Sequence, residues 1–126
     1  MRQIAHITAG VLGYGAVVHM VHLVLGGWNP YPSLPMWLAV YFISLTLLDP
    51  VAAVLLVFRR RAGLLLGCAV LVSDAVANGY ANYLIDPASG LSAGRVGQAV
   101  ISVLAVALLA MAPRLWPWLL PMTTSR

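Results

Sequence analysis

Four apolar stretches, separated by short turn-forming segments, run along the whole chain. They cover about residues 4–26, 36–58, 63–85 and 94–112. Each is near the ~20 residues that an α-helix needs to cross a bilayer, whereas barrel strands alternate over about 10 residues. Because a bilayer offers no water to backbone groups, such segments must be helical. We therefore predict an all-α membrane protein, a four-transmembrane-helix bundle that forms a single domain over residues 1–126.

Turn signals mark the ends of these stretches. The first ends in the Gly- and Pro-rich segment 27–35, the second at Arg59–Arg61, and the third at the segment 86–90. The fourth is the shortest; its start lies near Ser92 or Val96, and Pro113 is expected to end it at Ala112. Further prolines at 117 and 121 should prevent a regular helix in the tail.

The first stretch could instead be a cleaved signal peptide, because it follows the charged residue Arg2. His6, His19 and His22 interrupt it, and it is longer than the usual apolar region of about 7–15 residues. We therefore expect a retained helix.

Composition excludes most other classes of protein. The chain is 62% hydrophobic and 8% charged, against about 25% charged residues in an ordinary soluble domain. So few charges could not cover the surface of a soluble fold, and a disordered chain would be far more polar. The net charge of +4 does not indicate nucleic acid as a partner, because the arginines lie between apolar runs and form no basic stripe.

The arginines predict an orientation in the membrane. With four spans, one side holds both termini and the loop between spans two and three, and it carries Arg2, Arg59, Arg60, Arg61, Arg114 and Arg126. The other side carries only Arg95, together with Asp86. The positive-inside rule then places both termini in the cytoplasm, and we expect the inner (plasma) membrane of a bacterium. The triple arginine is interpreted as a topology signal that contacts anionic lipid heads.

Aromatic residues near the span ends are interpreted as belts at the two membrane surfaces. Trp116 and Trp118 would lie on the cytoplasmic side, and Trp28, Tyr31 and Trp37 on the outer side.

Polar residues inside the spans are costly in a bilayer, so their positions carry the functional information. Span three has Asp74, Asn78 and Asn82, four residues apart on one broad helix face. Span one has His19 and His22, also on one face, and span two has Asp49, directly before Pro50. Span four has Gln98 and Ser102.

Depths estimated from the helix rise place Asp49 and Asp74 roughly 14–17 Å from the cytoplasmic surface, near the middle of a ~30 Å core. His19 is level with Asn78, and His22 with Asn82, nearer the outside. This layout predicts a cavity that opens outward with two acids at its floor. If the two carboxyl groups face each other, both cannot comfortably be ionised, and one should hold a proton.

The alternative for these residues is helix packing. Asn, Gln, Ser and His commonly join membrane helices through hydrogen bonds, and Asp49 could cap the break at Pro50. No metal is predicted, because no cysteine or glutamate completes a site around the histidine pair, and the histidines are badly placed for haem. The single cysteine, Cys68, is expected to be a small buried apolar residue.

The leading hypothesis is therefore a small membrane protein that binds an ion, a small hydrophobic or cationic ligand, or a lipid-like substrate. Asp74 would be the key proton-active group and Asp49 its partner, with His19, His22, Asn78 and Asn82 lining the approach. Proton-linked transport and intramembrane catalysis both remain open, and no motif names a reaction or a cofactor. The rival hypothesis is an accessory subunit whose polar residues only hold helices together in a homo- or hetero-oligomer.

Overall fold

The computed structural model describes residues 1–86 and 89–121, which fold as four long helices. The helices are α1 (Arg2–Gly26), α2 (Met36–Val57), α3 (Arg61–Tyr80) and α4 (Ala93–Leu115). Within the described residues there is no β-strand, and each helix is long and apolar enough to cross a membrane. The predicted all-α class and the four apolar helices are confirmed. Pro87, Ala88 and Arg126, which contributed to the predicted break and topology, lie outside the described residues.

The helices pack in chain order, with α1 against α2, α2 against α3 and α3 against α4. In their most apolar windows, 33% of α2 and 39% of α3 residues are buried, against 17% for α1 and 11% for α4. The middle pair therefore forms the centre of the bundle. We call the end with the α2–α3 turn the Arg59 end, and the end with the α1–α2 loop the Tyr31 end.

The α2–α3 pair packs closely near the Arg59 end because Gly63 has no side chain. A methyl group built on Gly63 would lie 2.6 Å from the Leu56 nitrogen and 2.7 Å from both the carbonyl carbon and Cβ of Leu55. The backbones of the two helices are thus nearly in contact at this level, which fixes the register between them.

A second glycine, Gly67, lies at the meeting point of the other three helices. A methyl group built on it would lie 3.4 Å from Leu12 Cδ1, 3.7 Å from Leu108 Cδ2 and 3.8 Å from Leu56 Cδ1. These leucines come from α1, α4 and α2, and each is at most 4% exposed. They form an apolar layer, the leucine layer (Leu12, Leu56 and Leu108 around Gly67), in the half of the bundle towards the Arg59 end.

The predicted end of the fourth span at Ala112 is wrong. α4 continues through Pro113 to Leu115 and passes into a 3₁₀ turn, Trp116–Trp118. Proline removes one hydrogen bond to the preceding turn, but later residues continue the helical bonding, since the Trp116 N–H donates to the Ala112 carbonyl oxygen. The expectation that Pro113, Pro117 and Pro121 prevent a regular helix in the tail is therefore wrong as far as Trp118.

The tail binds the α2–α3 turn, a contact that the sequence interpretation missed. Arg59 donates to the Trp118 carbonyl oxygen (2.6 Å) and stacks over the Trp118 ring at 4.2 Å. Arg61 lies 4.8 Å from the centre of the Trp116 ring, and backbone hydrogen bonds join Leu120 to Arg59 and Arg61. We call this contact the tail clasp. Two of the three clustered arginines therefore hold the chain's own tail, whatever they also contribute to topology.

The tail clasp explains an unusual backbone conformation at the end of α2. Arg59 has φ 57°, in the left-handed region where glycine is normally found. Its N–H donates to Leu56 and the N–H of Arg60 to Leu55, the hydrogen-bond pattern of a Schellman motif. An arginine at the glycine position costs about 1 kcal/mol of backbone strain, and its side chain offsets that cost through Trp118.

At the Tyr31 end, α3 widens into a π-helical turn, Ala81–Ile85. The Arg95 guanidinium donates to the Asn82 carbonyl oxygen (3.3 Å) and to the Gly90 carbonyl oxygen (2.8 Å), and it stacks on the Tyr83 ring at 4.8 Å. Arg95 therefore supplies donors to a turn with irregular backbone bonding. Such turns often occur at functional sites.

Candidate functional site

All six candidate residues predicted from the sequence line one cavity of about 690 Å³. The cavity lies between the leucine layer and the Tyr31 end, and all four helices and the α1–α2 loop contribute to it. Its volume is within the ~300–1,000 Å³ typical of small-molecule sites. The structure thus brings together Asp49, Asp74, Asn78, Asn82, His19 and His22.

Asp49 is buried, with 4% of its surface exposed, and it lies against α1. The approach is possible because Gly15 faces it: a methyl group on Gly15 would lie 2.8 Å from Asp49 Oδ2. The glycine therefore makes room for the carboxyl group at the interface of α1 and α2. Near it, the Thr46 hydroxyl oxygen is buried and has no hydrogen-bond partner among the described residues.

Asp74 is 7% exposed and is held by its own helix. Asn78 Nδ2 donates to Asp74 Oδ1 (2.7 Å) and to the Asp74 carbonyl oxygen (3.1 Å), while Asn82 Nδ2 donates to the Asn78 carbonyl oxygen (2.8 Å). The three polar residues at four-residue spacing therefore form a ladder along the cavity wall. Asn78 orients the carboxyl group and leaves its second oxygen, Oδ2, without a donor from this ladder.

The expectation that the two acids lie at similar depth needs correction. Gly63 packs against Leu55 and Leu56, and from that level Asp74 is eleven residues along α3 while Asp49 is six or seven along α2. At about 1.5 Å per residue, Asp74 lies roughly 7 Å nearer the Tyr31 end. The acids are therefore staggered along the cavity, with Asp49 nearer the Arg59 end.

In the described part of the chain, no arginine lies at the depth of the two acids, and the basic side chains that share their cavity are His19 and His22. Arg2, Arg59, Arg60, Arg61, Arg95 and Arg114 all lie at helix ends or in the α2–α3 turn. Charge on both acids would therefore be uncompensated by an arginine, in a cavity whose walls are largely apolar. A cation from outside, or a proton, is what this arrangement favours chemically.

Tyr31 reaches from the α1–α2 loop across the end of the cavity. Its hydroxyl lies 3.4 Å from His19 Nδ1 and 3.5 Å from His22 Nδ1, and its ring packs 5.4 Å from that of Phe42. Burial raises the pKa of the Tyr31 phenol, and the negative charge of Asp74 raises it further. The phenol therefore keeps its proton at neutral pH and can donate to a histidine. The belt role predicted for Tyr31 is wrong, because its ring turns inward.

A second tyrosine near the acids, Tyr41, was also missed from the sequence. Its hydroxyl lies 2.7 Å from Ser73 Oγ, beside Asp74, and Ser73 Oγ in turn donates to the Ala69 carbonyl oxygen (2.7 Å). Tyr41 precedes Asp49 by eight residues, so helical spacing could have placed it on the same side of α2. Tyr31 gave no such signal, because a loop residue has no periodicity.

The polar residues of α4 serve packing. Gln98 Nε2 donates across to the Ala75 carbonyl oxygen of α3 (3.4 Å) and to Ser102 Oγ (3.0 Å), and neither residue lines the cavity. In α4 the cavity wall consists instead of small and aliphatic residues, among them Gly94, Gly97 and Val100. Among the described residues, no group of three or more His, Cys, Asp or Glu side chains could hold a metal ion.

Comparison with protein-family models, curated protein sequences and solved structures found no match to this chain. The site's geometry and chemistry are therefore the basis for a functional assignment.

Proposed function

We propose that this is an integral membrane protein that binds an organic cation in its acidic cavity. The observation that supports this proposal is that two buried carboxyl groups, Asp49 and Asp74, line one largely apolar cavity with no arginine at their depth among the described residues. Apolar walls and an anionic floor are complementary to an alkylamine, which has an apolar body and a positive head.

Membrane insertion is part of the proposal. Large apolar side chains are widely exposed on the outer helices, including Val24 (75%) and Val103 (68%), which water would penalise and acyl chains would not. The positive-inside rule places the Arg59 end in the cytoplasm, because it carries all described arginines except Arg95. The cavity would then open away from the cytoplasm.

Binding would be linked to protons. Two carboxylates in a low-dielectric cavity repel each other, so in the empty site one of the two favours holding a proton. An ammonium group would displace that proton by supplying the missing positive charge. Such an exchange suits a proton-coupled carrier, and the same proton could serve an intramembrane acid–base reaction.

An accessory subunit is the rival function, since a partner helix could occupy the cavity's open side. The two functions differ in what Asp74 must do. A ligand site needs a group that ionises, whereas a purely structural role tolerates Asn, which keeps the shape and the hydrogen bond from Asn78.

Calorimetry in lipid nanodiscs tests the proposal, with decylamine as the probe and neutral decanol as its matched control. We expect decylamine to bind with proton release, seen as a heat that depends on the protonation enthalpy of the buffer. Its affinity should fall as the pH is lowered, because acid protonates both carboxyl groups. Asp74→Asn and Asp49→Asn should each weaken decylamine at least tenfold and leave decanol unchanged.

Asp86→Asn is the control variant, because it makes the same change of charge outside the cavity. It should bind decylamine like the parent. Equal binding by the parent and Asp74→Asn, or by decylamine and decanol, would favour the accessory-subunit hypothesis.

A further inference from the structure

α1 and α4 border the cavity without packing against each other along it. Within the residues that the structure describes, these two helices have no interface comparable to those between consecutive helices. They approach each other at the leucine layer, through Leu12 and Leu108 on either side of Gly67. Between that layer and the Tyr31 end, the bundle is therefore open sideways.

The residues along this opening belong to the cavity and to the outer surface at once. Tyr14 of α1 is 72% exposed and Val100 of α4 is 52% exposed, yet both line the cavity. Gly97 of α4 also lines it, and a methyl group built there would meet nothing within 4 Å. We call the opening bordered by Tyr14, Val18, Gly97 and Val100 the α1–α4 portal.

We infer that the α1–α4 portal holds the alkyl chain of an amphipathic amine whose head group binds the two acids. The inference rests on the proposed function and specifies its ligand class and its route. In a bilayer the portal faces acyl chains, so an alkyl chain can lie in it without meeting water. The ligand would arrive from the lipid.

Charge complementarity favours this occupant over a helix from a second copy of the chain. A helix in the portal would have to bring a cation to the depth of Asp74. The described arginines of this chain all lie at helix ends or in the α2–α3 turn, far from that depth. A long-chain amine brings a cation to the acids and an alkyl chain to the apolar portal, because both parts belong to one molecule.

Gly97→Leu tests the inference, because the new side chain fills the portal and has room to do so. The probes are decylamine, measured by calorimetry in nanodiscs, and ethylamine, measured by NMR titration. Ethylamine has the same head group but no chain to place in the portal. We expect Gly97→Leu to weaken decylamine at least tenfold while ethylamine affinity stays within twofold of the parent value.

Gly13→Leu is the matched control, since Gly13 is equally open but does not line the cavity. It should leave both affinities unchanged. Equal loss of both amines in Gly97→Leu, or loss of neither, would overturn the inference. So would a changed oligomeric state in Gly97→Leu with unchanged decylamine affinity, which would indicate a helix in the portal. If the parent binds neither amine, or Asp74→Asn binds both normally, the proposed function itself fails.

Discussion

Alanine substitution at two glycines of α3 should change stability in opposite directions. Within a helix, Ala is more favourable than Gly by up to about 1 kcal/mol, and both Gly63 and Gly67 lie in the same helix. At Gly67 the added methyl group meets three leucine side chains at 3.4–3.8 Å, which is ordinary van der Waals contact. Gly67→Ala should therefore stabilise the fold by about 0.5–1 kcal/mol.

At Gly63 the same methyl group lies 2.6–2.7 Å from the α2 backbone and Leu55 Cβ. Main-chain atoms cannot rotate away, so the two helices must separate. Overpacking of this kind costs about 1–3 kcal/mol, and the helix-propensity gain offsets only part of it. Gly63→Ala should therefore be destabilised by about 1–2 kcal/mol, which places the two variants roughly 1.5–3 kcal/mol apart.

Reversible unfolding in mixed micelles, followed by circular dichroism, measures this difference. Because both variants gain the same methyl group in one helix, effects on detergent binding and intrinsic propensity largely cancel. A Gly63→Ala variant as stable as Gly67→Ala would refute the close α2–α3 packing, and with it the stagger derived for the two acids.

Two further predictions concern the ends of the bundle. Arg59→Gly should keep the α2–α3 turn, because glycine favours the left-handed conformation, but it should release the tail. Protease cleavage near Trp118 should then become severalfold faster. An unchanged cleavage rate would argue against the tail clasp. Arg95→Gln should loosen the π-helical turn Ala81–Ile85, because the Asn82 and Gly90 carbonyl groups lose their guanidinium donor; hydrogen exchange there should become at least tenfold faster, while exchange in α2 serves as the internal control.

The sequence predicted the helices well because continuous apolar runs leave no alternative to helix in a bilayer. It also predicted that Asp74, Asn78 and Asn82 share one face of α3, because of their four-residue spacing, but not the hydrogen bonds that join them within the helix. The predicted depth of Asp49 is wrong because the sequence allows each residue to be counted only from the end of its own helix. The register depends instead on a contact between helices, at Gly63, that no single helix reveals.

The contacts made by the α1–α2 loop and by the tail cannot be predicted from the sequence for a related reason. Tyr31 and Trp118 are both residue types that are common in the aromatic belts of membrane proteins. Only the three-dimensional course of the backbone directs Tyr31 into the cavity and Trp118 onto Arg59. The sequence predicts too early an end for α4 because Pro113 is a helix breaker in isolation, whereas hydrogen bonds such as that from the Trp116 N–H to the Ala112 carbonyl oxygen continue the helix past it.

The leucine layer determines how the membrane potential would act on a cation bound in the acidic cavity. In a membrane, part of the transmembrane voltage would fall across the dry apolar layer between Asp49 and the Arg59 end. A cation bound at Asp49 from the Tyr31 end would therefore have crossed the rest of the voltage. For roughly half of the field, this is worth about 1 kcal/mol per 100 mV for each charge. At a pH where the empty site holds no proton, a potential that is negative in the cytoplasm would hold an amine in the cavity more tightly. Exchange for a proton that leaves on the same side would move no net charge and would not respond to the voltage.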